Sequence, residues 1–160
     1  MIKFGSAESR TGSGTQALLR VLTAAALAVD AYVHADLASA YDPVRNSISQ
    51  GDLFRIEAGA AALAALLVLL SAHRLVWTFA FLVAASGIGA VLLYRYVNVG
   101  TLGPLPNMYE PLWFPKKTAT TIAEGVATLT ALAGLAQGLR WHAAGRSAPV
   151  QNSPRRSVRW

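Results

Sequence analysis

The chain has 160 residues, of which 54% are hydrophobic and 14% are charged, and its mean hydropathy is +0.40. Soluble globular chains carry about 25% charged residues, so this composition excludes an ordinary soluble domain. The absence of cysteine excludes disulfides, thiolate metal sites and thiol redox catalysis. The net charge of +6 could suit a nucleic-acid partner, but its distribution along the chain indicates membrane orientation instead, and we expect no nucleic-acid binding.

Four apolar runs are long enough to cross a bilayer, which takes about 20 helical residues. They occupy residues 15–38, 53–72, 75–99 and 117–141. The third follows the second almost at once, so these two helices should form a tight hairpin. Small residues, including Gly134 and Gly138 in GxxxG spacing, favour close helix packing. The predicted fold is all-α, a four-transmembrane-helix up-down bundle.

Charge distribution predicts the orientation of this bundle. Residues 1–14 are Gly/Ser-rich and residues 142–160 are basic with Pro and Ser, so both are predicted to be disordered tails. Most Lys and Arg residues fall on the side of these tails, and cytoplasmic loops are enriched in such residues. We therefore expect a multi-pass protein of the cytoplasmic (inner) membrane with both termini inside.

A cleaved secretory signal is the competing interpretation of the first run. Basic residues precede the apolar stretch VLTAAALAV, and Ala38-Ser39-Ala40 has the small-residue pattern of a cleavage site. Asp30, His34 and Asp36 would then lie between the apolar stretch and the cut, where signals are normally neutral. We therefore expect the first helix to be retained.

Ionisable residues lie inside all four runs and gather toward the external side. They are Asp30 and His34 in the first run, Glu57 in the second, Arg95 in the third and Glu124 in the fourth. Asp30 and His34 are four residues apart and share one helix face. Lys117, Thr121, Glu124 and Thr128 form a polar stripe on the fourth helix. Asp30 and Glu124 should each lie roughly 12 Å inside the external boundary, so they can meet.

Three interpretations of this cluster remain open. The first is an ion-pair cluster in which Arg95 bridges Glu57, Glu124 or Asp30 and holds the helices in register. The second is a metal site formed by Asp30, His34, Glu57 and Glu124, whose imidazole and carboxylates suit Zn, Fe, Mn or Cu(II). The third is a ligand pocket or proton-linked site built from the same groups.

The loop between helices three and four, GTLGPLPNMYEPLWFP, combines turn-forming Gly and Pro with aromatic residues. It is either a membrane-interface loop, a docking surface for another subunit or a cap over the cluster, with Tyr109, Glu110 and Trp113 as the capping residues. Aromatic residues near predicted helix ends favour an interface belt. They are Trp77, Tyr94, Tyr96, Tyr109, Trp113 and Trp141.

A family resemblance accompanies these segments. The stretches YRYVNVGTLGPLPNMYEPLWFPKKTATTIAEG, DAYVHADLASAYD and ISQGDLFRIEAG resemble those of small four-helix membrane proteins of actinobacterial type. In overall shape the chain is similar to DoxX-like proteins. The resemblance covers roughly residues 16–141 and implies a four-helix fold in the cytoplasmic membrane. It implies no catalytic residue.

The functional expectation follows from the membrane fold and from missing motifs. The sequence contains no Gly-rich phosphate loop, G-x-S-x-G, H-E-x-x-H or C-x-x-C. We expect an accessory or assembly subunit of a larger respiratory or metal-dependent oxidative membrane complex, with the bilayer and other subunits as partners, rather than an enzyme. The alternative is an independent metal- or quinone-linked membrane oxidoreductase, or a ligand-binding protein, that uses the same cluster. A metal ion and a quinone are the candidate cofactors.

Overall fold

The structure is a computed structural model that describes the backbone of residues 7–146 and the side chains of residues 14–137. This part of the chain is helical and contains no strand. Its elements are α1 (Ala7–Ala38), a 3-10 helix (Ser39–Tyr41), α2 (Gln50–Leu70), α3 (Arg74–Tyr96) and α4 (Pro115–Arg146). All four α-helices are long and apolar enough to cross a membrane. The predicted all-α class and the four helices of membrane-spanning length are therefore confirmed.

Helix boundaries differ from the predicted ones at both ends of the chain. α1 begins at Ala7, inside the tail predicted over residues 1–14, and α4 continues to Arg146. Once a helix is nucleated, each added residue gains a hydrogen bond, so polar residues without proline can extend it. The remaining parts of the predicted tails, residues 1–6 and 147–160, lie outside the described residues.

Local capping explains where the inner helices begin. The Ser49 hydroxyl accepts a hydrogen bond from the Asp52 N–H at 2.9 Å, and the Asp52 carboxylate accepts one from the Ser49 N–H at 3.4 Å. This reciprocal capping box starts α2 at Gln50, three residues before the apolar run. α4 starts at Pro115, because proline has no N–H to leave unsatisfied in the first turn.

Small residues form most of the interior. α1 and α3 each pack against both α2 and α4. Six alanines of α2, α3 and α4 are fully buried: Ala61, Ala64, Ala80, Ala84, Ala127 and Ala131. Large apolar side chains such as Leu66, Leu82 and Leu129 are exposed instead. This arrangement is expected where lipid surrounds the bundle and only small residues allow helices to approach closely.

Polar contacts connect the helices at three levels. On α1 and α4, the Thr23 hydroxyl donates to the Thr130 hydroxyl at 2.7 Å, and the Thr120 hydroxyl donates to Asp30 Oδ1 at 2.7 Å. Arg20 Nε on α1 donates to the carbonyl of Val68 at 2.8 Å, near the end of α2. Arg20 thereby satisfies a carbonyl that the last turn of a helix leaves unpaired.

Trp77 belongs to the core and not to the predicted interface belt. It is 2% exposed, and its indole lies directly against Gly134 of α4. A glycine at position 134 leaves room for the ring on the α4 backbone, which sequence position alone does not indicate. Tyr96 and Trp113 are exposed near helix ends, as an interface belt requires. The side chain of Trp141 lies outside the described part.

Hydrogen bonds hold two loops in place at the end of the bundle where α2 begins. Arg55 donates to both carboxylate oxygens of Asp42, at 2.8 and 2.7 Å, and this guanidinium holds the pKa of Asp42 below its ordinary value. The long loop (residues 97–114) lies against the first loop (residues 42–49), since the Ile48 N–H donates to the Pro104 carbonyl at 3.2 Å. Gly103 has a φ of +56°, which favours glycine at this turn.

Replacing Gly134 by alanine should destabilise the bundle. A Cβ at this position would lie 2.6 Å from Trp77 Cδ2, a ring atom of a side chain that is only 2% exposed. We expect Gly134→Ala to lower the free energy of unfolding by about 1–3 kcal/mol, the usual cost of overpacking. Gly59→Ala is the control, because a Cβ there meets no atom within 4 Å. The same midpoint of thermal unfolding in detergent for both variants would contradict this packing.

Candidate functional site

Asp30, His34 and Glu124 form one buried cluster between α1 and α4. One potential ligand atom from each residue lies within 4.8 Å of the others. Asp30 and Glu124 are fully buried and His34 is 6% exposed. Asp30 and His34 are one helical turn apart on α1, as their spacing predicts, and α4 supplies the third group. We call these three residues the acid–histidine triad.

Hydrogen bonds orient the α1 half of the triad. His34 Nδ1 lies 2.8 Å from Asp30 Oδ1, which also accepts a hydrogen bond from the Thr120 hydroxyl. Because a carboxylate accepts hydrogen bonds, Nδ1 carries the proton that it donates to Asp30. The His34 ring meets Phe54 edge to face, with centroids 5.1 Å apart. The imidazole is therefore held in one orientation by two helices.

Three oxygens of the triad lack a partner. Asp30 Oδ2 and both carboxylate oxygens of Glu124 are buried without a hydrogen bond to any described residue. Gly87 of α3 makes room for Glu124, since a Cβ at position 87 would lie 2.9 Å from the Glu124 carboxyl carbon. Leaving such groups unpaired away from water is unfavourable. The triad can therefore accept a cation or a hydrogen-bond donor.

Arg95 does not join this cluster. Its guanidinium lies 5.1 Å from the Tyr96 ring centroid and 5.7 Å from that of Trp113. Among the described residues it forms no ion pair with Asp30, Glu57 or Glu124, so the predicted Arg95-centred ion-pair cluster is not formed. The reason is that Arg95 and Glu124 lie at different depths in the bundle. Gly87, which contacts Glu124, precedes Arg95 by about two helical turns, or roughly 12 Å along α3.

Two of the four residues in the polar stripe predicted on α4, Lys117 and Glu124, are buried, whereas Thr121 and Thr128 bond within their own helix. Thr121 and Thr128 donate to the carbonyls of Lys117 and Glu124 in their own helix, both at 2.7 Å. Such back-bonding satisfies the hydroxyl locally. Thr120, which the sequence interpretation missed, contacts Asp30 instead. Its four-residue spacing from Glu124 is the signal that could have identified it.

A cavity of about 280 Å³ adjoins the triad. Glu57 of α2 lies outside the triad but lines this cavity, as do His34 and Gly87. The other polar side chains at the wall are Tyr41, Gln50, Ser86, Tyr94, Glu110, Lys117 and Thr120. The remaining wall is apolar and includes Phe54, Met108 and Phe114. Sequence reasoning found Glu57 and placed Lys117 on a polar stripe, but Phe54 carried no signal that separated it from ordinary packing.

The long loop covers this cavity in part. Met108, Glu110 and Phe114 line it, whereas the predicted capping residues Tyr109 and Trp113 do not. Successive side chains of an extended segment point to opposite sides, so neighbours of Glu110 face away. The Glu110 N–H donates to the Tyr94 carbonyl at 3.1 Å, and Lys117 Nζ donates to the Glu110 carbonyl. These contacts hold the loop against α3 and α4.

No protein-family model, curated protein or solved structure matches this chain. The DoxX-like resemblance stays a prediction for that reason. The functional argument accordingly rests on the cluster and the cavity themselves.

Removing the Thr120 hydroxyl should destabilise the cluster. Thr120→Val keeps the side-chain shape but removes the hydrogen bond to a buried carboxylate. We expect a loss of about 1.5–3 kcal/mol in the free energy of unfolding. Thr118→Val, at an exposed position two residues away, is the matched control and should have little effect. Equal stability of the two variants in detergent unfolding would contradict the assigned contact.

Proposed function

We propose that the chain is a multi-pass protein of the cytoplasmic membrane, folded as an up-down bundle with both termini inside. The order of contacts supports the antiparallel arrangement, since Thr23 pairs with Thr130 while the later Asp30 pairs with the earlier Thr120. The excess of Lys and Arg on the side of the termini supports the orientation.

We further propose that this bundle binds an amphipathic small molecule dissolved in the membrane. The carrying observation is the cavity of about 280 Å³, whose wall is mainly apolar and includes Glu57, a residue with one buried carboxylate oxygen that lacks a partner among the described residues. Pockets for small molecules combine these features, with apolar walls and a few convergent polar groups. The cavity is close to the lower limit of roughly 300–1,000 Å³ for such pockets, so it suits a head group better than a whole long ligand.

The position of the opening supports entry from the lipid. Ser86 and Ala90 line the cavity and are also exposed on α3. Both lie well inside the helix rather than at its end. A ligand could therefore place its head group in the cavity while its apolar tail remains in the bilayer. This geometry favours a membrane-soluble ligand over one that arrives from water.

The polar atoms of the cavity select the head group. Glu57 Oε1 is buried without a hydrogen bond to the described residues. A carboxylate oxygen accepts hydrogen bonds. A head group that donates hydrogen bonds therefore fits better than one that only accepts them. Among the candidates indicated by the sequence, the reduced form of a quinone, a quinol with two hydroxyl donors, meets this requirement.

Blocking the cavity should abolish quinol binding. In purified protein reconstituted in nanodiscs, we expect saturable binding of a decyl-substituted benzoquinol, measured by equilibrium dialysis under reducing conditions. Ala90→Phe should weaken this binding by about tenfold or more, because a ring at this wall position occupies head-group space. Gly89→Phe is the control, since position 89 is exposed and does not line the cavity.

Two results would contradict the proposal. One is the absence of saturable binding in the wild-type protein. The other is the same affinity in Ala90→Phe and Gly89→Phe. Tighter binding of the oxidised quinone than of the quinol would contradict the assignment of the cavity as a hydrogen-bond acceptor.

A role as an accessory or assembly subunit is a second proposal, favoured by the exposed side chains of the long loop. Leu112 is 69% exposed and Trp113 is 42% exposed. Apolar groups displayed together at a helix-bundle surface are typical of contact sites for another protein. A subunit in fixed stoichiometry should copurify in mild detergent and be lost in Leu112→Glu. Leu102→Glu, at an exposed position elsewhere in the same loop, should retain it. Retention in both variants would contradict this docking surface.

A further inference from the structure

We propose that Asp30, His34 and Glu124 bind a divalent first-row transition-metal ion. This inference goes beyond ligand binding in the cavity and does not depend on it. The three residues each offer a ligand atom within 4.8 Å of the others. Tetrahedral ligands at metal distances near 2.1 Å are about 3.4 Å apart, so small side-chain rotations suffice to close the site.

Unpartnered oxygens provide the independent reason to assign a ligand here. Glu124 is fully buried and neither of its carboxylate oxygens has a hydrogen bond within the described part of the chain. Asp30 is also fully buried, and its Oδ2 lacks a partner. A carboxylate accepts hydrogen bonds or binds cations, so a cation between the two acids would satisfy these oxygens.

Neither Lys117 nor Arg95 forms an ion pair with the triad within the described part of the chain. Lys117 Nζ donates to the Glu110 carbonyl, and the Arg95 guanidinium lies over the Trp113 ring. His34 contacts Asp30 Oδ1, which leaves Asp30 Oδ2 and Glu124 unpaired. A divalent cation bound to these oxygens would balance both carboxylate charges at once.

The donor set selects the class of metal. Ca²⁺ takes six to eight oxygen ligands, and Mg²⁺ usually keeps several waters. One imidazole nitrogen with two carboxylates instead suits Zn²⁺, Mn²⁺ or Fe²⁺. His34 offers Nδ1, which lies 2.8 Å from Asp30 Oδ1, so a metal bound at this nitrogen would replace its proton and stay within reach of the Asp30 carboxylate.

The surroundings of the triad would leave one coordination position of a bound ion open. His34 and Gly87 line the cavity, so a metal held by the triad would face it. Glu57 lines the cavity but lies outside the group of three. Thr120 fixes the Asp30 carboxylate through Oδ1 and leaves Oδ2 free to bind the ion.

Metal stoichiometry tests this site directly. The full-length protein, purified in detergent through a histidine-free tag, would be treated with a chelator and dialysed against Zn²⁺, then against Co²⁺ as a spectroscopic probe. We expect one Zn²⁺ per chain by elemental analysis and the visible absorption of a Co²⁺ site with nitrogen and oxygen ligands. His34→Ala and Glu124→Gln should each weaken binding by about tenfold or more.

Matched variants distinguish coordination from general charge and from misfolding. His73→Ala removes an exposed histidine, and Glu57→Gln removes a neighbouring carboxylate outside the triad; both should retain the metal. Gly87→Ala, which forces the Glu124 carboxylate to move, should weaken binding although it removes no ligand, whereas Gly89→Ala should not. Helical circular dichroism of each variant establishes that the fold is kept.

Three outcomes would overturn the assignment. They are a wild-type protein that binds substantially less than one equivalent, binding that is unchanged in both His34→Ala and Glu124→Gln, or equal loss in Glu57→Gln. Benzoquinol binding to the chelated protein is a separate readout. The metal site and the ligand pocket can therefore fail independently.

Discussion

The contact between α1 and α4 is the constraint on which the functional site depends. Two hydrogen bonds, from Thr23 to Thr130 and from Thr120 to Asp30, link these helices at separate depths. Together they fix how far one helix can slide along the other. A shift of one helix along the other by one turn, about 5.4 Å, would separate Asp30 from Glu124 and break up the acid–histidine triad. The small residues that surround these contacts permit the close approach that the hydrogen bonds require.

The remaining helices convert this contact into a site. α3 contributes Gly87, which leaves room for the Glu124 carboxylate, and α2 contributes Phe54, which orients the His34 ring. α2 and α3 also form much of the wall of the cavity, and the long loop closes part of its outer end. Two buried acids with unpartnered oxygens thus adjoin an apolar chamber. A metal ion and a membrane-soluble ligand are chemically compatible occupants of adjacent positions.

The sequence predicted the parts of this arrangement that depend on length, periodicity and composition. Helix number followed from the apolar runs, and Asp30, His34 and Glu124 were expected to meet because of their spacing and depth. Predictions that required side-chain direction failed. Arg95 lies about two turns of α3 beyond Gly87, the residue that contacts Glu124. Trp77 packs in the core because Gly134 faces it. Neither helix rotation nor the partner of a glycine can be read from one sequence. Thr120 was missed for the same reason, although its spacing from Glu124 was visible.

Disulfide trapping between α1 and α4 tests the central claim most directly, because the chain has no native cysteine. The Thr23 and Thr130 hydroxyl oxygens are 2.7 Å apart, so Thr23→Cys combined with Thr130→Cys should form an intramolecular disulfide rapidly under mild oxidation in native membranes. Thr23→Cys combined with Thr128→Cys should form it slowly, because position 128 lies roughly 200° around α4 from position 130. Equal rates in the two pairs, or no cross-link in the first, would contradict the α1–α4 register that assembles the site.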